Sequence, residues 1–160
     1  MEDYQAQLRD SFRATSIVGY STSLSVIVYG VIANFLLSRH SGAPESDGDH
    51  LVVIFGGLGG VLFVALAFLD PVIRQINRPA EISGPAVIRQ LQASAMVTFG
   101  VCETISILGL VLAVMTRDIR NYYWLAFLSL VAFAVYFPKY ARWDRFLRDA
   151  LYGEQYGEGA

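Results

Sequence analysis

Four long apolar runs alternate along the chain with short stretches where its charges gather. The runs cover about 15–37, 51–69, 93–115 and 122–137. A helix that crosses the hydrocarbon core of a bilayer takes ~20 apolar residues. Backbone groups in lipid must be satisfied within the segment, so an open-ended span has to be helical. The pattern therefore predicts an all-α polytopic membrane protein, a bundle of four transmembrane helices occupying 14–138. The first run is too long for a signal peptide, and its flank EDYQAQLRDSFR is acidic as well as basic, so a retained helix is expected.

The two ends read as amphipathic segments, 1–13 and 139–160. Tyr4, Leu8 and Phe12 recur every fourth residue. Beyond Pro138, Tyr140, Trp143, Leu147 and Leu151 form a similar stripe, with Lys139, Arg142, Arg145 and Arg148 on most of the remaining surface. Such stripes suit the plane of a membrane interface, with aromatic rings at headgroup depth. Trp124, Trp143, Arg142 and Arg145 are the expected interface anchors; docking of a partner helix is the other use of such a stripe. The final GEQYGEGA is expected to be mobile.

Basic residues set the expected orientation. Nine of the twelve lysines and arginines lie in the amino-terminal tail, the loop 70–92 and the carboxy-terminal tail, against three (Arg39, Arg117, Arg120) on the other side. That bias places both termini in the cytoplasm. The five-residue link TRDIR makes the third and fourth helices antiparallel neighbours. The near repeat VIRQI and VIRQL, at 72–76 and 87–91, reads as two helix ends needing the same mixture of apolar anchor and arginine.

Composition narrows the chemistry. Hydrophobic residues make up 54% of the chain and charged ones 16%, below the ~25% of soluble domains. A net charge of −2 without a basic aromatic surface argues against nucleic acid. Cys102 is the single cysteine, so no intrachain disulfide can form. His40 and His50 in or beside the acidic first loop read as solvated. No metal-ligand spacing, phosphate loop, paired catalytic carboxylates or histidine near the membrane serines is visible, so neither a cofactor nor catalysis is expected.

One residue breaks the pattern. Glu103 lies inside the apolar stretch TFGVCETISILGLVLAVM, near the expected midplane. A charged carboxylate there costs about 2.5–3.5 kcal/mol on insertion scales, and intramembrane acids mark functional sites by default. Desolvation favours the neutral acid, which must then find hydrogen-bond partners. Ser23, Ser25 and Tyr29 on the first helix match its depth, and Ser106 lies beside it at helical spacing. Small residues suggest where helices approach closely: Gly56 and Gly60 in GGLGG, and Gly100 and Gly109 flanking Glu103.

The segment CETISILGLVLAVM resembles the ion-carrying helix of the proteolipid ring subunit of rotary ATP synthases, with its midplane acid and Gly-Leu-rich turn. The loop INRPAE resembles that subunit's polar Arg–Pro–acid loop, and GGLGG its glycine-rich helix. The resemblance covers the second hairpin, about 51–115, and implies that Glu103 is the ion-binding position. The resulting expectation is a small integral membrane subunit in the lipid bilayer that packs with itself or other membrane subunits and carries a proton-titratable Glu103. A small proton-coupled transporter or channel, and an assembly factor in which Glu103 only locks helices, are the alternatives.

Overall fold

A computed structural model describes residues 2–39, 48–76 and 83–152, with side chains for 4–39, 48–68 and 83–151. The first loop with His40, the INRPAE segment beyond Ile76, and the final eight residues lie outside these. Five helices follow one another: α1 Glu2–Ser38, α2 Gly48–Ile76, α3 Gly84–Thr116, α4 Ile119–Tyr136 and α5 Tyr140–Tyr152. The first four are long and apolar enough to cross a membrane, and their outward faces carry apolar residues such as Ile17, Leu24, Val53, Val64 and Phe127. The chain is a small all-α membrane protein.

α3 is the central element, packed against α1, α2 and α4, while α1 and α2 make no contact among the described residues. α1 and α2 therefore flank the α3–α4 pair rather than closing a ring with it. α1 runs parallel to α3: Tyr4 meets Gly84, and Gly19 meets Phe99. α3 and α4 are antiparallel, as the short link requires. Ser129 of α4 donates to the Cys102 carbonyl at 2.7 Å. Phe99 stacks on Phe133 at 5.8 Å between centroids.

Local chemistry builds the α3–α4 turn. Arg117 ends α3 in the left-handed region, φ 54°, which is where helices commonly stop. Asp118 then caps α4 by accepting from the Arg120 backbone N–H at 2.9 Å. Asn121 Nδ2 reaches back to Thr116 Oγ1 at 2.8 Å.

The first and third helices are longer than the apolar runs alone indicate. α1 has 37 residues, about 55 Å at 1.5 Å per residue, and α3 has 33. The surplus of both lies at the end that carries α5. There Leu8, Val87, Ile88, Leu91, Trp143 and Leu147 are buried in one cluster. Phe12 meets Tyr140 and Trp143 edge to face at 5.4 and 5.5 Å. The amphipathic stripes of 4–12 and 140–151 thus cover one another and the start of α3. This corrects the expected role of Trp143: at 4% exposed it is a core residue of a helical cap, not an interface anchor. Trp124, 74% exposed on α4, is free to lie at the membrane surface, and Arg142 and Arg145 are exposed.

Three of the four glycines expected at close contacts also need correction. A Cβ at Gly56, Gly60 or Gly100 would meet nothing within 4 Å. At each of the three, no described residue lies where the side chain would project. Gly109 does mark a close approach: a Cβ there would lie 2.9 Å from Leu125 Cβ and 3.3 Å from the Tyr122 carbonyl oxygen. On α2 the glycines in contact are Gly59, whose added Cβ would meet Leu125 at 2.7 Å, and Gly48, whose added Cβ would lie 3.3 Å from Thr116. Gly109→Leu is therefore expected to lose about 1–3 kcal/mol through overpacking, whereas Gly56→Leu should stay within about 0.5 kcal/mol. Heat stability of the two variants in detergent checks the contrast.

Candidate functional site

The site forms where α1 and α3 run side by side. A parallel pair keeps residues of matched depth together, and so the hydroxyls of Ser25 and Tyr29 arrive at Glu103. Tyr29 Oη donates to Glu103 Oε1 at 2.8 Å. Ser25 Oγ lies 3.2 Å from the same oxygen and 2.7 Å from the Thr22 carbonyl. Serine has one hydrogen to give. The shorter contact is the better donor geometry, which leaves the Ser25 oxygen able to accept. Glu103 itself is half-buried, and both hydroxyl contacts fall on Oε1.

The other two expected partners do not join. Ser23 Oγ donates to the Gly19 carbonyl of its own helix at 3.0 Å. Ser106 is fully buried, and its hydroxyl makes no hydrogen bond of ordinary geometry among the described residues. A helical serine commonly bonds the carbonyl four residues back. For Ser106 that acceptor is the Cys102 carbonyl, which Ser129 already engages.

A second set of contacts fixes α1 in place around the carboxyl. Tyr122 is 2% exposed, and its hydroxyl donates to the Val26 carbonyl of α1. Gly30 leaves room for the Tyr122 ring, and Gly19 for the rings of Phe99 and Phe137. Asn34 Nδ2 donates to the Tyr123 hydroxyl at 2.9 Å. Tyr122 is followed directly by Tyr123 and Trp124. Only the helical phase separates them: Tyr122 turns inward while Tyr123 and Trp124 are exposed.

Chemically, the arrangement is a lone carboxyl with hydroxyl neighbours. No group of three or more His, Cys, Asp or Glu side chains suited to a metal ion exists among the described residues. The nearby Cys102 is buried. Compared with protein-family models, with characterised proteins and with solved structures, the chain has no match.

Proposed function

We propose that the protein is a small integral membrane subunit in which Glu103 takes up and releases a proton. The supporting observation is the hydroxyl pair at Glu103 Oε1. That pair suits both protonation states. When the carboxyl is ionised, Tyr29 donates to Oε1 and the Ser25 hydroxyl can rotate toward it. When the carboxyl is neutral, Ser25 gives its hydrogen to Thr22 and its oxygen can accept from the acid, while Tyr29 still donates. Hydroxyl hydrogens rotate freely enough to follow either state. The proton can thus exchange without moving a helix. The resemblance of the 51–115 sequence to the ring subunits of rotary ATP synthases, carried over to this chain, would give Glu103 the same role. In this reading, the open faces at Gly56, Gly60 and Gly100 pack against another copy or another membrane subunit, and both termini lie in the cytoplasm by charge bias.

The same contact ties α1 to α3, which favours a second reading: Glu103 as a helix lock in an assembly factor. Glu103→Gln separates the two. In vesicles under an imposed potential, with an internal pH-sensitive dye, the parent should acidify the lumen. The Gln variant should not, although it keeps the same helical content and oligomeric size. Equal acidification by both removes the proton reading, and loss of assembly in the Gln variant favours the lock.

A further inference from the structure

Where α4 gives way to α5, an open cleft of about 430 Å³ is lined by Val135, Phe137, Lys139, Ala141, Arg142 and Arg145. Its volume falls within the range of small-ligand sites, about 300–1,000 Å³. Three of the six lining residues are cations and none is acidic. Arg148 pairs with Asp144 at 2.9 Å, and neither residue lines the cleft. The start of α5 is an awkward place for so much positive charge. Helix amino-termini favour anions, because their first N–H groups are unsatisfied and the helix dipole is positive there. α5 has no acidic residue in its first turn, and Ala141, with its N–H in that turn, lines the cleft. Positive side chains and a positive helix end therefore converge on one hollow.

The rest of the lining, Val135, Phe137 and Ala141, is apolar. Phe137 packs against Tyr20 and Phe99, with centroids 5.2 and 5.9 Å away. Val135, 59% exposed, joins the cleft to the apolar outer face of α4. An occupant must then be an anion at one end and apolar at the other, and it must enter from the membrane edge. We propose that this cleft binds the phosphate headgroup of an anionic phospholipid, with Lys139, Arg142 and Arg145 around the phosphate and the acyl chains descending along Val135. Basic residues near an anionic surface each strengthen association by up to roughly fivefold.

The test uses the full chain in phosphatidylcholine vesicles containing trace spin-labelled phosphatidylglycerol or spin-labelled phosphatidylcholine. The immobilised fraction of each label reports its association with the protein. The parent should prefer phosphatidylglycerol severalfold, and salt should weaken that preference. Arg142→Gln and Arg145→Gln should each reduce it, and the triple variant with Lys139→Gln should abolish it. Arg148→Gln, outside the cleft, should leave it unchanged. The two single variants keep the test informative if the triple variant misfolds. Equal immobilisation of both labels by the parent overturns the proposal, as does full preference in the single variants. Displacement of the labelled lipid by inorganic phosphate beyond that caused by sodium chloride at the same ionic strength would show a site for free phosphate and would also overturn it.

Discussion

Trp143→Ala is expected to be the most damaging single substitution at the end of the molecule where α5 packs against the start of α1. Truncating a buried tryptophan costs about 3–5 kcal/mol through lost burial and the cavity left behind. Trp143 is 4% exposed and belongs to the cluster with Leu8, Val87, Ile88 and Leu91. Its ring also makes an edge-to-face contact with Phe12 at 5.5 Å, a geometry that adds about 0.5–1.5 kcal/mol beyond area burial. Loss of the ring should release α5 from α1 and expose it to protease, while the spans keep their helical content. Phe12→Ala should act in the same direction, and the double variant should lose less than the sum of the two singles, because both remove one contact. Trp124→Ala is the control: that ring is 74% exposed, and its loss should change stability by no more than about 0.5 kcal/mol. Chemical unfolding in detergent and limited proteolysis measure both. Equal stability of the Trp143 and Trp124 variants would remove the helical cap from this account.

The second large effect concerns Glu103. Glu103→Ala should destabilise the α1–α3 contact, because the Tyr29 hydroxyl loses its acceptor in a part-buried site. An abandoned polar group costs about 1–3 kcal/mol. Hydrogen bonds between membrane helices average less, about 0.6 kcal/mol, because alternative partners are found; the lower half of that range is therefore expected. Glu103→Gln keeps an acceptor oxygen and should stay close to the parent in stability. Tyr29→Phe should resemble Glu103→Ala only weakly, since Ser25 remains beside the carboxyl. Unfolding in detergent should rank parent and Gln together, Phe next and Ala last. If Ala and Gln are equally stable, the hydroxyl contacts contribute nothing to packing.

The spans were legible in the sequence because lipid demands long apolar runs, and nothing else in this chain produces them. The partners of Glu103 were legible in part. Depth along the first helix named Ser25 and Tyr29, and depth survives because α1 and α3 run parallel. Depth says nothing of helical phase, and so Ser23, turned toward its own backbone, was indistinguishable from Ser25. The glycines show the same limit. Spacing marks Gly56 and Gly60 as suited to close packing, but a face of small residues looks the same whether a helix or lipid lies against it. The stripes at the two ends stated that their apolar sides would be covered, not that they would cover each other. Charged residues at positions 9, 10 and 13 suggested that α1 begins after them. They are tolerated because that part of the helix exposes them, while Leu8 and Thr15 are buried.

Proton exchange at Glu103 is tested most directly by infrared difference spectra of the carboxyl stretch. The spectra are recorded against pH on folded protein in lipid, with Glu103→Gln as the control. A protonated-carboxyl band that is absent from the Gln variant, and that disappears and returns reversibly as pH is raised and lowered, is the predicted result. A Glu103 signal that stays in one state at every pH at which the protein remains folded would contradict the account and leave the carboxyl as a fixed tie between α1 and α3.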